Sequence, residues 1–91
     1  MALNGDWYEA KPATDLEEQA RNERAAERAL EFTVGWFARP LYQGDYPAVM
    51  RERCGDRLPR FTAEQQRMLR GSADFFGLNH YSSHLCEQPA W

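Results

Sequence analysis

The most informative segment of the chain is Gly71-Ser-Ala-Asp-Phe-Phe-Gly-Leu-Asn-His-Tyr-Ser82. Its middle is apolar on both faces, as in a strand buried within a parallel sheet, and it predicts a strand from Asp74 to Tyr81. Upstream, Thr62-Ala63-Glu64-Gln65 has the pattern of a capping box and predicts a helix that ends before Gly71. A helix followed by such a strand is typical of one segment of a repeating α/β fold.

A longer helix is predicted nearer the N-terminus. Thr14-Asp15-Leu16-Glu17 matches a capping box, and apolar residues then recur with a period close to 3.6. Pro40 is expected to end this helix, which we place at about residues 15–37, and residues 38–46 are expected to form a turn. A short helix should follow, with Pro47 as its first residue.

The two ends of the chain give weaker patterns. Residues 1–13 are interpreted as a loop, except for a possible strand end at Ala2-Leu3-Asn4, and residues 82–91 show no pattern. A strand needs neighbours for its backbone hydrogen bonds, and the stub at residues 2–4 is the one candidate partner in the sequence. We therefore expect an incomplete α/β unit, mostly helical in isolation, with a long helix, two short helices and one strand.

Composition limits the classes of protein to which the chain can belong. With 91 residues it forms at most one small domain, and its 43% of hydrophobic residues exceeds what a disordered chain contains. Aromatic residues make up 13%, which is more apolar surface than three short helices bury among themselves. This excess indicates that a partner surface is missing.

Charge and sequence features also exclude several partners. The net charge is −3 and the charges are interspersed, so binding to nucleic acid is not expected. No stretch approaches the roughly 18 apolar residues of a membrane span, and residues 1–10 lack the features of a signal peptide. Cys54 and Cys86 form no close pair, so reduced thiols and a cytoplasmic location are favoured.

Two polar side chains stand near the end of the predicted strand. Asn79 and Tyr81 are two residues apart and are expected to share one face, while His80 points to the other. In parallel α/β barrels the carboxyl end of a strand faces the active site. An amide and a phenol there can bind sugar hydroxyls or orient a carboxylate. The alternative is structural, with Tyr81 as a half-buried aromatic residue and Asn79 as a turn-former.

Other candidate sites have weaker patterns. His80, His84 and Cys86 are metal ligands by type, but no fourth ligand is evident, so neither a metal nor a cofactor is expected. A Cys–His nucleophile would lack a third group to orient the base, and Ser82-Ser83-His84 lacks the GxSxG turn of hydrolases. The carboxylates of the long helix are interpreted as a solvated face.

Four stretches of the chain together resemble glycoside hydrolase family 1, the β-glucosidase family. They are Leu3-Asn-Gly-Asp-Trp7, the run from Glu31 to Met50, Arg57-Leu-Pro-Arg-Phe-Thr62, and Gly71 to Ser82. They occur in the order and spacing of the family over nearly the whole chain. The resemblance implies a (β/α)8 TIM barrel, of which residues 1–91 form one incomplete domain, from the end of the fifth strand to the sixth, with no second domain.

The resemblance also implies a retaining glycosidase. One glutamate of such an enzyme protonates the leaving oxygen, and a second attacks the anomeric carbon. In the family they lie in Thr-x-Asn-Glu-Pro and Thr-Glu-Asn-Gly motifs, and this sequence contains neither motif, so no catalytic residue is expected in it. The order of the family places the first motif before Met1 and the second after Trp91.

Four residues match supporting positions of the family. Tyr81 matches the tyrosine that hydrogen-bonds the nucleophilic carboxylate, and Asn79 matches an asparagine that helps to order the donor-sugar site. Asn4 and Trp7 lie where the family shapes the leaving-group side, on a wall that varies among its members. His80 replaces what is often a second aromatic residue and is expected to point away from the sugar.

We therefore expect a β-glucosidase-type hydrolase of carbohydrate metabolism, which cleaves the O-glycosidic bond of β-glucosides or related small glycosides. The 91-residue chain alone should be inactive and poorly folded, because it needs the rest of the barrel. The alternative is a non-catalytic remnant that acts as a protein-interaction module through exposed aromatic residues. Searching the flanking DNA for the two glutamate motifs would distinguish these hypotheses.

Overall fold

The computed structural model describes residues 2–89. Helical residues make up about half of the chain, and the strands are short. In chain order, the elements are β1 (Ala2–Asn4), β2 (Trp7–Ala10), α1 (Leu16–Leu30), a π-helical segment (Glu31–Gly35), α2 (Trp36–Gln43), α3 (Ala48–Cys54), a 3-10 turn (Gly55–Arg57), α4 (Ala63–Leu69), β3 (Gly77–Asn79) and β4 (Ser83–Cys86).

The strands β1 and β3 are parallel neighbours, and their register places Asn4 beside Asn79. Because the helices lie between them in the chain, they form a β–α–β unit, the repeating element of parallel α/β folds. The strand stub predicted at residues 2–4 is confirmed. The strand predicted at 74–81 is confirmed only at 77–79, since a ladder of hydrogen bonds extends no further than its shorter strand.

A second parallel pair, β2 and β4, continues beyond the first pair, with Trp7 beside Ser83. The interpretation of residues 1–13 as a loop was therefore wrong for β2, and the lack of pattern in residues 82–91 concealed β4. The described part of the chain thus contains two pairs of strands, where a lone strand with a stub was expected. β2 and β4 each have four residues, which is too few to show a clear alternation of apolar and polar side chains.

The first helix begins one residue later than the predicted capping box. Asp15, rather than Thr14, is its N-cap, and the Asp15 carboxylate accepts a hydrogen bond of 2.9 Å from the backbone N–H of Glu18. Both side chains are good caps, but an ionised carboxylate also interacts favourably with the positive end of the helix dipole.

Pro40 does not end this helix, contrary to the prediction. The π-helical segment joins α1 to α2, and α2 contains Pro40 and extends to Gln43. A proline crowds the carbonyl four residues before it. Here that carbonyl belongs to Trp36, at the junction where π-helical hydrogen-bond spacing gives way to α-helical spacing, so the helix accommodates the ring. Gly44, with a φ of 87°, provides the left-handed residue that ends α2.

The two short helices are confirmed. Pro47 is the N-cap of α3 rather than its first helical residue. The capping box of α4 is present as predicted: the Thr62 hydroxyl accepts a hydrogen bond of 3.2 Å from the Gln65 backbone, and the Gln65 side chain accepts one of 2.9 Å from the Thr62 N–H. This pattern is entirely local, which is why the sequence predicts it well.

The described residues enclose little core. Ala26 and Met50 are the hydrophobic residues that are fully buried among them. The accessible surface is 6630 Å², against roughly 5,500 Å² for a folded protein of this mass. The Cα radius of gyration is 15.1 Å, against about 12 Å for a compact chain of this length. None of the helices within residues 2–89 combines the length and apolar character needed to cross a bilayer.

Candidate functional site

The clearest polar cluster lies at the carboxyl ends of β1 and β3. The side-chain amide of Asn79 donates a hydrogen bond of 2.8 Å to the side-chain oxygen of Asn4. Both residues are exposed, and the bond uses one of the Asn79 N–H groups. The remaining N–H groups and oxygen lone pairs of the two amides can both donate to and accept from a ligand. Such a pair can bind a group that both donates and accepts hydrogen bonds, such as a hydroxyl.

Tyr81 lies just beyond this pair, in the three-residue connection between β3 and β4. Two backbone hydrogen bonds fasten the connection: the N–H of Gly5 donates to the Asn79 carbonyl at 3.2 Å, and the N–H of Trp7 donates to the Ser82 carbonyl at 3.0 Å. The Tyr81 side chain is 84% exposed. β3 ends at Asn79, so the strand on which a shared face was predicted does not reach Tyr81, and the shared face of Asn79 and Tyr81 stays a prediction.

Trp7 occupies the first position of β2, opposite the end of this connection. Its side chain is half-exposed, and its indole N–H donates a hydrogen bond of 3.0 Å to the Glu9 carboxylate. Residues two apart on a strand share a face, so this bond runs along one side of β2. Trp7 therefore offers an apolar ring, with its polar atom already bonded.

The strand pair β2–β4 is held from behind by α1, through a residue that the sequence analysis missed. Asn22 is 1% exposed. Its amide N–H donates a hydrogen bond of 3.0 Å to the Lys11 carbonyl after β2, and its side-chain oxygen accepts one of 2.9 Å from the Gln88 N–H after β4. The signal was present in the sequence, because an asparagine four residues before Ala26 lies on the face of α1 that is otherwise apolar.

Two arginines and an ion pair strengthen this attachment. Arg21 and Arg28 of α1 donate hydrogen bonds to the backbone carbonyl and the side-chain oxygen of Gln88, at 3.2 and 2.9 Å. Lys11 and Glu87 form a salt bridge of 2.9 Å across the exits of the two strands. The hydrogen bond to Glu87, followed by its charge, raises the pKa of the Lys11 ammonium above its usual 10.5. The exits of β2 and β4 are thereby tied to each other and to α1.

His80 and His84, near the site, each lie within hydrogen-bond distance of another side chain. The His80 Nε2 atom lies 2.9 Å from the Ser83 hydroxyl, and the His84 Nε2 atom lies 2.9 Å from the Asp6 carboxylate. The His84 ring also stacks on that of Tyr8, with centroids 5.3 Å apart. Across residues 2–89, no three histidine, cysteine or acidic side chains gather as metal ligands.

The carboxylates of the helices are not arranged as an acid–base pair. The Glu31 carboxylate accepts three hydrogen bonds of 3.0 to 3.2 Å from the Arg39 guanidinium. This fork ties the π-helical segment to α2. Grooves of about 450 and 590 Å³ lie along the helices, and neither is lined by Asn4, Asn79 or Tyr81. The polar cluster is therefore an open wall rather than an enclosed pocket.

Comparison with known proteins gives one consistent result. Residues 2–90 match the family model described as glycosyl hydrolase family 1. Beta-glucosidase 1B of Phanerodontia chrysosporium is 46% identical over 87 residues, which are 96% of this chain and 15% of that protein.

Solved structures agree with this result. A variant of rice Os3BGlu6 β-glucosidase, in a covalent complex with Glc from GA4GE, has a TM-score of 0.81 and 46% identity over 91% of this chain and 16% of its own. β-Glucosidase 2 from Trichoderma reesei, in complex with Tris, has a TM-score of 0.79 and 50% identity over 92% of this chain and 17% of its own.

The chain thus spans about 15–17% of the length of these relatives. Their fold is the (β/α)8 barrel, and the β–α–β unit made by β1, the helices and β3 is one repeat of such a barrel. The match over nearly all of the chain, in both sequence and structure, confirms the resemblance seen in the four sequence stretches. The chain belongs to glycosyl hydrolase family 1, and it corresponds to part of the barrel of that family.

Proposed function

We propose that this chain forms part of the sugar-binding wall of a retaining β-glycosidase that hydrolyses β-glucosides. The observation that carries the proposal is the hydrogen-bonded pair Asn4–Asn79, which spans two parallel strands at their carboxyl ends. In barrel enzymes that edge carries the active site. Residues 1–91 are then one incomplete barrel domain.

Each polar residue has a distinct task in this proposal. The Asn79 amide binds the hydroxyls of the donor sugar, and its bond to Asn4 fixes the direction of its remaining donor and acceptor atoms. The Tyr81 hydroxyl donates a hydrogen bond to the nucleophilic carboxylate. Such a bond favours the ionised form, which is the form that attacks the anomeric carbon. The Trp7 ring borders the leaving group. The atoms of the Asn4 amide that do not bond Asn79 lie on the same side.

The catalytic glutamates are supplied by other parts of the barrel. The chain contains neither of the two motifs in which the family carries them. A retaining mechanism passes through a covalent glycosyl–enzyme intermediate, and the covalent Glc complex of the rice relative supports the same course in a protein of this similarity. The 91-residue chain alone should therefore bind sugar weakly and hydrolyse nothing. The sugar and the leaving group are selected largely by residues outside this segment.

The rest of the barrel is also the partner that the exposed apolar side chains need. Trp36 and Phe37 stack on each other in α2 with 44% and 50% of their surface exposed, and Leu85 of β4 is 68% exposed. Burying such surface stabilises a fold by roughly 25 cal/mol per Å². We expect the isolated chain to fold poorly or to aggregate. A sharp, cooperative thermal transition of the purified monomer would contradict this.

A segment graft tests the proposed function. In Trichoderma reesei β-glucosidase 2, the matching segment is replaced by residues 2–89 of this chain, and hydrolysis of an aryl β-glucoside is measured. We expect this grafted enzyme to be active, with a further Tyr81→Phe substitution lowering kcat/KM by about 10- to 150-fold, as for loss of one hydrogen bond to a charged group. Tyr42→Phe on α2 is the matched control and should have little effect.

The result separates the two functional hypotheses. An inactive but folded grafted enzyme, or equal effects of the two tyrosine substitutions, would contradict a role in the sugar site. Hydrolysis by the 91-residue chain alone would contradict its dependence on the rest of the barrel. A non-catalytic remnant predicts an inactive graft together with an isolated chain that folds by itself.

A further inference from the structure

The connection that carries Tyr81 is closed by a side-chain hydrogen bond. The His80 Nε2 atom and the Ser83 hydroxyl are 2.9 Å apart, and the bond spans Tyr81 and Ser82. At its two ends, the backbone is already fastened by Gly5, which follows β1, and by Trp7 of β2. The side-chain bond encloses Tyr81 and Ser82, within the same short stretch of backbone.

The orientation of Tyr81 depends on this short segment of backbone. Its side chain is 84% exposed, so packing within the described residues does little to fix its direction. A hydrogen bond across a turn reduces the number of backbone conformations that the enclosed residues adopt. A serine hydroxyl both donates and accepts, so the bond forms with either neutral tautomer of the His80 ring.

We propose that His80 and Ser83 are a positioning pair for Tyr81, and that they hold its hydroxyl where it meets the nucleophilic carboxylate. The inference rests on the proposed function and deepens it, because it assigns a task to the histidine at the position where the family often has an aromatic residue. A carbocyclic aromatic side chain at position 80 lacks the ring nitrogen that bonds Ser83.

The experiment is a double-mutant cycle in the grafted enzyme. Ser83→Ala should lower kcat/KM for an aryl β-glucoside by about three- to tenfold, the range expected for loss of one neutral hydrogen bond. His80→Phe should produce a similar loss, and Ser83→Thr, which keeps the hydroxyl, should restore the activity. Ser82→Ala is the matched control, because Ser82 contributes its backbone carbonyl to the connection.

The decisive comparison is made in a Tyr81→Phe background. If the pair acts through the tyrosine hydroxyl, Ser83→Ala should lower kcat/KM by less than about twofold there. An equal loss with and without that hydroxyl would overturn the inference and leave the proposed function intact. An unsubstituted grafted enzyme that is folded but inactive would overturn both. Circular dichroism of each variant checks that its fold is retained.

Discussion

Asn22 provides a direct test of how the second strand pair is held in place. It is almost fully buried, and its side chain connects the exits of β2 and β4 through bonds to Lys11 and Gln88. Asn22→Leu keeps the branching at Cγ but leaves one carbonyl and one N–H without their partner. At about 1–1.5 kcal/mol for each lost bond, the local opening of these strands should become easier by about 2–3 kcal/mol.

Native-state hydrogen exchange in the grafted enzyme measures this change where it occurs. When exchange follows the opening equilibrium, 2–3 kcal/mol corresponds to about 30- to 150-fold faster exchange. The acceleration should appear at the backbone amides of β2 and β4 and should be much smaller in α4. Global melting is a poorer measure, because one local change in a large barrel shifts its midpoint by little.

Two variants complete this experiment. Asn22→Asp keeps the oxygen that accepts from Gln88 but places a buried carboxylate against the Lys11 carbonyl oxygen, so it should accelerate exchange at least as much as Asn22→Leu. Arg24→Leu places the same leucine on the exposed side of α1 and should leave the exchange of β2 and β4 unchanged. The reasoning is refuted if Asn22→Leu exchanges no faster than Arg24→Leu.

Three further predictions concern the frame of the site, with the free energy of unfolding of the grafted enzyme as the measurement. Gly44→Ala should destabilise it by about 1–3 kcal/mol, because a Cβ there would lie 2.8 Å from a carbonyl oxygen at a φ of +87°. Gly55→Ala, where φ is +53° and the space is open, should cost less, and equal costs would contradict the steric argument. Thr62→Ala should cost about 1 kcal/mol through loss of the cap, and Thr62→Ser should not. Because the pKa of Lys11 is raised in the folded state, its ion pair with Glu87 stabilises the fold below the unfolded pKa, and this contribution is lost as pH rises through the folded pKa. Lys11→Met should therefore remove part of the alkaline loss of stability, and an unchanged pH profile would contradict this.

Local patterns predicted the two short helices better than the long one. The capping box at Thr62 involves residues three apart, so the sequence contains everything that determines it. The cap at Asp15 was misplaced by one residue because two good capping side chains are adjacent, and charge decides between them. Pro40 misled the prediction because its effect depends on the π-helical turns just before it, a property of the three-dimensional helix.

The strands were harder to predict because their partners are distant in sequence. β2 and β4 each have four residues, and their hydrogen bonds come from the opposite end of the chain. For the same reason, the pairing of Asn4 with Asn79 could not be derived from spacing, although both residues were chosen as candidates. Tyr81 was selected on the assumption that one strand continues through it. Its role as a support for the nucleophile stays a prediction.

The parallel pairing of the two ends has a consequence for how this segment acquires its structure. The bond between Asn79 and Asn4 closes a loop of 75 residues, which costs about 4 kcal/mol of chain entropy before any contact repays it. During synthesis, the helices between the strands can form as soon as they emerge. β1 can pair with β3 only after β3 has been made. Contacts at the site therefore join residues that are far apart in the sequence, whereas contacts within the helices are local. The hydrogen-bonded pair Asn4–Asn79 should be among the last features to form, although Asn4 is synthesised before the helices.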